Sequence, residues 1–117
     1  MPGVTLYGIA NCDTVRSARG WLAERGVEYV FHDYKRAGVP VPQLDCWIAA
    51  LGWEKLLNRS GRTWRELDAK VRDAVTDAPS ARAVMLAQPS SIKRPVVEWP
   101  DGSTTLGFDR AAWEART

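Results

Sequence analysis

The sequence predicts an α/β domain that runs β-α-β, then a helical insertion, then β-β-α, around a mixed four-stranded sheet. Residues 5–7 form a short apolar run that leads into a helical pattern, and Glu28–Tyr34 alternates as a second strand does. Two more strand patterns, 92–99 and 104–107, are joined by an Asp-Gly turn typical of a tight hairpin. The stretch from about 43 to 88 carries helical patterns instead. A strand-helix-strand unit makes a parallel pair and a hairpin makes an antiparallel one, so a mixed sheet is expected.

Length and composition indicate one globular domain. The chain has 117 residues, 45% of them hydrophobic and 26% charged, and its formal net charge is +2. The length fits a single domain over residues 1–117 with the helical insertion inside it. The sequence has no long apolar run and no secretory signal, so we expect a cytoplasmic protein without membrane contact. The small net charge gives no reason to expect a nucleic-acid partner, and a monomer is expected.

The residue types that bind metals are too few to predict a metal site. The chain contains two cysteines, Cys12 and Cys46, and one histidine, His32. No metal and no bound cofactor are therefore expected. Val15 stands where a C-x-x-C pair would have its second thiol, and a cytosolic disulfide is not expected. Cys46 lies in a helical pattern and is interpreted as a small buried hydrophobe, and His32 as a structural or surface histidine.

The most informative stretch is the passage from the first strand into the first helix. Asn11, Asp13 and Thr14 are typical of helix starts, because their side chains can accept hydrogen bonds from free N–H groups. Cys12 is therefore expected at or just before a helix N-terminus, where the helix dipole favours a thiolate. Arg16, four residues on, is expected to favour the ionised thiol further. The alternative, a small apolar cysteine packed at a strand end, stays open on position alone.

The other helices are predicted from periodicity and from residues that end helices. The first helix carries its apolar stripe on Val15, Ala18 and Leu22, and Gly26 suits its end. A turn-rich connector covers residues 35–42. The helical patterns of the insertion cover residues 43–51, 53–57, 63–67 (or 63–71) and 79–87.

Three features mark element boundaries in the second half of the chain. Thr63–Glu66 fits a capping box, in which the Thr hydroxyl and the Glu carboxylate each satisfy an end N–H group. Pro95 stands near the start of the third strand at a sharp entry, so the Arg94–Pro95 bond is a candidate for a cis peptide. Asp109 can cap a last helix that carries Ala111–Trp113.

Four motifs, in this order, resemble those of a known family. They are Tyr7–Thr14 (YGIANCDT), Leu56–Arg59 (LLNR), Thr63–Leu67 (TWREL) and Ile92–Pro95 (IKRP). With the element order, they make the whole chain similar to the ArsC/Spx family, the arsenate reductase-like branch of the thioredoxin-like fold. They resemble most the YffB-like subgroup, small bacterial proteins regarded as glutathione-dependent thiol reductases.

The resemblance implies a set of site residues. Cys12 matches the family's catalytic cysteine, the nucleophile that attacks arsenate or a disulfide sulfur. Arg94 matches the arginine that neutralises the bound anion, and Pro95 matches the cis-proline that follows it. The substrate-binding residues that the motifs imply are Asn11, Asn58, Arg59, Arg62, Lys93 and Pro95.

Two arginines of the family's arsenate site have no direct match in this sequence. In the insertion, Asn58 aligns with the family's arginine, whereas Arg59 and Arg62 are the nearby guanidinium groups. After the last strand, Phe108 aligns with the third arsenate-binding arginine, and Arg110 stands two residues further on. Each guanidinium gives an oxyanion charge-assisted bonds, so losing one is expected to weaken anion binding by roughly 1.5–3 kcal/mol. The resemblance therefore does not favour efficient arsenate reduction.

Three functions are compatible with these residues. The favoured one is a monothiol oxidoreductase, in which Cys12 attacks a glutathione mixed disulfide and free glutathione, the expected co-substrate, resolves the adduct. The first alternative is arsenate reduction coupled to glutathione or glutaredoxin, with an oxyanion as substrate. The second is an Spx-like regulator that binds RNA polymerase. Against it, Val15 removes the second thiol of the Spx switch, and Gly52 is first of all typical of a helix end.

Overall fold

The computed structural model describes residues 3–117. Two compact units divide the chain: one comprises the segments up to Arg36 and from Arg94 onward, and the other is Ala37–Lys93. The predicted insertion, 43–88, lies within the second unit. No helix among these described residues is long and apolar enough to cross a membrane.

Strands occur towards the two ends of the chain, and helices fill the middle. In chain order the elements are β1 (Val4–Gly8), α1 (Asp13–Glu24), β2 (Tyr29–Asp33), α2 (Tyr34–Ala37), α3 (Val41–Leu51), α4 (Trp53–Leu56), α5 (Arg62–Arg65), α6 (Ala69–Asp73), α7 (Ala78–Ala87), β3 (Val96–Glu98), β4 (Thr104–Leu106) and α8 (Arg110–Arg116). A short 3-10 turn, Pro89–Ser91, follows α7. The order confirms the predicted β-α-β unit, helical insertion and β-β-α unit.

The strands of residues 3–117 form one mixed sheet in the order β2-β1-β3-β4. β1 and β2 are parallel, with Val4 opposite Tyr29, as a strand-helix-strand unit requires. β3 lies antiparallel to β1, with Tyr7 opposite Val96, and β4 completes a hairpin with β3. The predicted α/β class with a mixed four-stranded sheet is confirmed. Because β1 is central, the loop that carries Cys12 leaves from the middle of the sheet.

One face of the sheet packs against α1 and α8. The helical stripe of α1 meets the apolar side chains that alternate along β1 and β3, since a helix repeats every 3.6 residues and a strand every two. The buried cluster contains Val4, Leu6, Val15, Ala18, Trp21, Leu22, Val97, Trp99 and Trp113. The stripe predicted on α1 is thereby confirmed. It holds the helix against the sheet from its first turn, and so fixes the residue that precedes it.

The second strand ends earlier than the sequence predicted. β2 stops at Asp33, and Tyr34 begins the short helix α2 instead of ending the strand. The Asp33 Oδ1 atom accepts a hydrogen bond from the Lys35 backbone N–H at 2.9 Å. Such a local side-chain bond offers the backbone an alternative to the strand ladder, so the chain turns at this point.

The third strand begins later than predicted, at Val96 rather than Ile92. Pro95 has no backbone N–H and cannot donate to the ladder, which ends the strand on that side. Ile92 forms a single antiparallel bridge with Leu57 within the insertion unit. Within the run from 92 to 99, Ile92 therefore pairs inside the insertion unit and Val96–Glu98 pair in the sheet. Periodicity alone could not predict this division.

The capping box predicted at Thr63–Glu66 is wrong. α5 begins one residue earlier, at Arg62, after Gly61 and without a side-chain cap. The Glu66 carboxylate instead accepts a hydrogen bond from Arg62 Nε at 2.9 Å, an exposed i,i+4 pair. α5 ends after one turn, and α6 starts separately after Asp68, whose carboxylate caps it. The single predicted helix is therefore two short ones.

The other insertion helices agree with the prediction and begin slightly earlier, α3 at Val41 and α7 at Ala78. α3 ends at Gly52, which has φ +86° and donates its N–H to the Ile48 carbonyl at 2.9 Å. Residues with a Cβ rarely adopt this conformation, so Gly52 has a structural reason to be glycine. Its interpretation as a helix end is confirmed.

Candidate active site

Cys12 directly precedes α1, at the N-cap position of that helix. Its backbone is extended (φ −146°, ψ 124°), and its carbonyl accepts a helical hydrogen bond from the Arg16 N–H at 2.9 Å. The thiol makes no capping hydrogen bond and is half-buried against the core cluster. The free N–H groups of the first turn and the helix dipole favour an anion at this position. Cys12 thus has the helix-start position that the sequence predicted.

Gly8 allows α1 and the segment before β3 to approach the end of β1. A Cβ atom built on Gly8 would lie 2.9 Å from Val15 Cγ2 and 3.9 Å from Arg94 Cβ. Real Cβ atoms essentially never lie within 3.0 Å of a heavy atom of a residue that is not adjacent in the chain, so alanine at this position would displace a neighbour. The glycine therefore sets how closely the helix start with Cys12 and the segment with Arg94 meet the strand.

A Gly8→Ala variant is expected to be less stable than the wild type by about 1–3 kcal/mol, because its methyl group overpacks against Val15. Urea unfolding measures the change. The matched control is Gly20→Ala, which adds a methyl group to an exposed part of α1 where no atom lies within 4 Å. This control should gain about 0.5–1 kcal/mol, since alanine is the better helix former. Equal effects of the two substitutions would contradict the close approach at Gly8.

The Arg94–Pro95 peptide bond is cis, which confirms the expectation from the sequence. Pro95 is buried and Arg94 is half-buried. Extending the antiparallel register of β1 and β3 by one residue sets Pro95 opposite Gly8. Cys12 follows Gly8 by four residues, so the cysteine and the cis-proline lie at the same edge of the sheet. The structure thereby brings together the carboxyl end of β1, the start of α1 and the entry to β3.

The Arg16 guanidinium is held by its neighbours in the helix-start loop. Its Nη1 atom donates to Asn11 Oδ1 at 3.2 Å, and its Nη2 atom forms an ion pair with the Asp13 carboxylate. All three side chains are exposed, so these contacts add little to stability. The Asp13 carboxylate offsets part of the positive charge that Arg16 brings near Cys12. The predicted effect of Arg16 on the thiol stays a prediction.

A cluster of polar and aromatic side chains lies on the sheet face opposite the α1 cluster, because Tyr7 alternates with Leu6 along β1. The Tyr7 hydroxyl donates to Glu98 Oε1 at 2.6 Å, and burial together with this bond raises the pKa of Tyr7 above its usual value. The His32 ring centroid lies 5.1 Å from that of Tyr7 and 6.1 Å from that of Tyr34. His32 is therefore packed between aromatic rings, as its structural interpretation predicted. This cluster was not predicted from the sequence, although the period-two spacing of strand residues carried its signal.

Two of the predicted substrate residues lie on paired backbone segments of the insertion unit. The Asn58 N–H donates to the Ser91 carbonyl at 2.7 Å, and the Lys93 N–H donates to the Leu56 carbonyl at 2.9 Å. The backbone bonds hold the segment with Asn58 beside the segment with Lys93. The Lys93 side chain is exposed and that of Asn58 is half-buried.

The two insertion arginines that the sequence left open differ in their surroundings. The Arg59 guanidinium carbon lies 5.3 Å from the centroid of the Trp53 ring, in a cation–π contact. Arg62 shares its charge with the Glu66 carboxylate, which its Nε atom reaches at 2.9 Å. Arg59 has no carboxylate partner among the described residues. It is therefore the better placed of the two arginines to bind an anion.

Phe108, which aligns with the family's third arginine, is part of an aromatic cluster. Its ring centroid lies 4.7 Å from that of Trp113 and 6.1 Å from that of Trp21, both in edge-on arrangements. A side chain packed in this way offers no donor to an oxyanion. Phe108 therefore packs against other aromatic rings, at the position where the family carries its third arsenate-binding arginine.

Arg110, whose orientation the sequence left open, lies beside α1. It borders a groove of about 700 Å³ whose lining includes Asp13, Thr14 and Ser17 of the first helical turns. Its guanidinium carbon lies 5.8 Å from the centroid of the Phe108 ring. Arg110 also borders a groove lined by Glu24 and Arg25 towards the far end of α1, so it lies along the helix. The sequence signal for the position of Arg110 was the helix cap at Asp109. Its carboxylate accepts a hydrogen bond from the N–H of residue 112 and so fixes where α8 begins.

Cys46 is exposed on α3, so its interpretation as a buried hydrophobe is wrong. The buried residues of α3 are Leu44 and Trp47, and Cys46 lies off the stripe that they form. Cys12 and Cys46 are both free thiols. Within residues 3–117, no group of three or more His, Cys, Asp or Glu side chains is arranged to hold a metal ion.

A free thiol at a helix start and a cis-proline that enters an antiparallel strand at the same edge of the sheet are features of a thioredoxin-like fold. Residues 7–116 match the ArsC family, and the chain belongs to that family. The predicted resemblance is therefore confirmed over almost the whole chain. Members of this family are arsenate reductase-like proteins.

Individual relatives agree with this assignment over nearly their full lengths. A solved structure named as a YffB protein is 48% identical, with a TM-score of 0.90 and 97% of each chain covered. An arsenate reductase (ArsC) related protein from Brucella melitensis is 51% identical, with a TM-score of 0.76, covering 97% of this chain and 93% of the other. An uncharacterized protein of Haemophilus influenzae is 38% identical over 112 residues, 96% of each chain. The chain is thus similar to the YffB subgroup that the motifs indicated.

Proposed function

We propose that the chain is a glutathione-dependent thiol/disulfide oxidoreductase that uses Cys12 as its only nucleophile. The observation that carries this proposal is the Cys12 thiol at the N-cap of α1, at the same sheet edge as the cis Arg94–Pro95 bond. A helix N-terminus favours a thiolate, which is the form that attacks a disulfide. The half-buried guanidinium of Arg94 is a suitable partner for a carboxylate of glutathione or for an oxyanion.

The reaction proceeds by two thiol–disulfide exchanges. In the first, the Cys12 thiolate attacks the glutathione sulfur of a mixed disulfide, forms a Cys12–glutathione disulfide and releases the substrate thiolate. In the second, the thiolate of free glutathione attacks the glutathione sulfur of that adduct. Oxidised glutathione leaves, and the Cys12 thiolate is restored. Each cycle consumes one free glutathione, and the oxidised glutathione that leaves contains that molecule and the glutathionyl group of the substrate. The cycle therefore needs a reducing compartment such as the cytoplasm to keep glutathione reduced, with glutaredoxin as a further partner.

Resolution by an external thiol is inferred from the positions of the cysteines in the sequence. Val15 occupies the position three residues after Cys12 that a second thiol would need. The unit that carries Cys12 contains no other cysteine, since Cys46 belongs to the insertion unit. Free glutathione is therefore the resolving thiol in the proposed cycle.

Arsenate reduction is the second candidate, supported by the family and by the name of the Brucella melitensis relative. The Phe108 side chain packs against Trp113 instead of offering a guanidinium to an oxyanion. Arsenate would therefore depend on Arg94 and on other donors, and would be the poorer substrate. An Spx-like regulatory role has less support, since Gly52 is accounted for as the end of α3.

Oxidised glutathione is expected to add one glutathione to the wild type, on Cys12, at a rate that Arg94→Ala lowers about 10- to 150-fold. This range corresponds to losing roughly 1.5–3 kcal/mol of bonding to a charged group. Intact-mass spectrometry measures the rate, and peptide mapping locates the adduct.

The control for that experiment is Arg25→Ala, which also removes an arginine of the first unit. Arg25 follows α1 at its far end and pairs with Glu114 at 2.6 Å. The rise of the helix holds it about 20 Å from Cys12, so the variant should react as the wild type does. Equal labelling of Cys46, or equal rates for the two arginine variants, would remove the basis of the proposed function.

A further inference from the structure

The groove beside the first turns of α1 has two opposite charges on its wall that do not pair with each other. Its volume is about 700 Å³, within the roughly 300–1,000 Å³ typical of small-molecule sites. Asp109 and Arg110 both border it, and neither forms an ion pair with any of the described residues. Asp13, the third charged residue of the lining, is already paired with Arg16. The groove therefore offers one unpaired carboxylate and one unpaired guanidinium side by side.

The remaining walls of the groove suit a short polar ligand with an aliphatic stem. Phe108 forms an apolar wall, and the Arg110 guanidinium carbon lies 5.8 Å from the centroid of its ring. Thr14 and Ser17 line the α1 side, where their hydroxyl groups can donate to a carboxylate. The Asp109 Oδ1 atom accepts a helical N–H at 3.2 Å, which leaves its second oxygen for a ligand. An α-amino acid, with its carboxylate and ammonium on one carbon, matches these walls.

The groove lies within reach of a ligand that is bonded to Cys12. Its lining begins at Asp13, whose Cα atom is about 3.8 Å from that of Cys12. Ser17 and Arg110 also border the next groove along α1, so Arg110 lies beside the helix near the level of Ser17. That level is roughly 7.5 Å from Cys12 along the helix axis. An extended segment of two residues spans up to about 7 Å, so the residue next to a cysteine bonded to Cys12 reaches Arg110.

We propose that this groove binds the γ-glutamyl end of glutathione, with Arg110 on its α-carboxylate and Asp109 on its α-ammonium. The proposal rests on the glutathione function proposed for Cys12 and assigns that function a specificity site. The γ-linkage of glutathione leaves both α-groups of its glutamyl residue free, and both are charged near neutral pH. Charge-assisted hydrogen bonds to the two groups are stronger than neutral ones. The groove therefore favours glutathione over thiol peptides that lack the γ-glutamyl residue.

Three symmetric disulfides separate the two ends of glutathione. Oxidised glutathione and oxidised γ-glutamylcysteine carry the γ-glutamyl residue, whereas oxidised cysteinylglycine lacks it. Arg110→Ala should slow the uptake of the first two by Cys12 about three- to tenfold, between the effect of an exposed ion pair and that of a hydrogen bond to a charged group. It should leave the rate with oxidised cysteinylglycine unchanged. Intact-mass spectrometry of the full chain measures each rate.

Two further variants distinguish the groove from a general effect of charge. Arg116→Ala removes an arginine at the other end of α8, which pairs with Asp101 at 3.5 Å, and should react as the wild type does with all three disulfides. Asp109→Asn keeps a residue type that caps helices well and removes only the charge. It should slow the two γ-glutamyl disulfides about threefold, as expected for an exposed charge pair. A general effect would have the opposite sign, because these disulfides are anionic.

S-methylglutathione tests the groove without the exchange reaction, since it has no thiol. It should raise the thermal midpoint of the wild type and of Cys12→Ser, because a ligand of the folded state stabilises it. Arg110→Ala should remove most of this rise, and Arg116→Ala should keep it.

The outcomes separate this proposal from the proposed function. Arg110→Ala that slows all three disulfides equally, or that keeps the full response to S-methylglutathione, overturns the γ-glutamyl site. An Asp109→Asn variant that takes up oxidised glutathione faster than the wild type does so as well. Protection by S-methylglutathione that Arg110→Ala removes, in a protein whose Cys12 takes up none of the disulfides, supports the groove and rejects the exchange function. Uptake of glutathione on Cys12 that Arg110→Ala leaves unchanged supports the function and overturns the role of Arg110.

Discussion

Cys12→Ser is expected to abolish glutathione-dependent disulfide exchange, whereas Cys46→Ser should keep the wild-type rate. A serine hydroxyl stays protonated near neutral pH and cannot form the disulfide through which the exchange proceeds. The fold should be retained, because the Cys12 thiol is half-buried and makes no capping hydrogen bond. The rate is measured as the consumption of a glutathione mixed disulfide in the presence of reduced glutathione.

The same pair of variants tests the monothiol mechanism. If Cys46→Ser slows turnover as much as Cys12→Ser does, the two cysteines act together and resolution by external glutathione is wrong. If Cys12→Ser keeps the wild-type rate, the thiol at the helix start is not the nucleophile. The Spx-like alternative would then be the next to test, by capture of RNA polymerase subunits.

Features that depend on local signals could be predicted from the sequence. The helix start at Cys12 follows from short polar residues on both sides of it, and the end of α3 follows from Gly52. The cis bond before Pro95 was expected because the chain enters a strand sharply at a proline. Since the parallel and antiparallel pairings follow from connection lengths, the mixed sheet could also be predicted.

Features that depend on competition between neighbours could not be predicted. The stretch Thr63–Glu66 fits a capping box, but the Glu66 carboxylate pairs with Arg62 instead. The sequence pattern is compatible with both arrangements. The exposure of Cys46 depends on which stripe of α3 is buried, and a short apolar segment leaves that choice open. The buried hydroxyl of Tyr34 has no hydrogen-bond partner among the described residues, a property of three-dimensional packing for which the sequence carries no signal.

Trp113→Ala is expected to lower the free energy of unfolding by about 3–5 kcal/mol, a large share of the 5–15 kcal/mol typical of such domains. Trp113 is 1% exposed. Its ring lies edge-on to three others, with centroid distances of 5.8 Å to Trp21, 5.2 Å to Trp99 and 4.7 Å to Phe108. Alanine would remove the side chain at the centre of this cluster and leave a cavity that the sheet and α1 cannot close.

The loss should be largest at α8, because a helix of seven residues is too short to be stable without its packing. Hydrogen exchange should therefore show the amides of Arg110–Arg116 losing protection in Trp113→Ala before those of β1. Trp113→Phe is the matched control, since it keeps an aromatic ring in contact with the cluster and should cost less. A free energy of unfolding within 1 kcal/mol of the wild type in Trp113→Ala, measured in urea, would contradict this account. In that case contacts other than Trp113 would hold α8, and with it Arg110, beside α1.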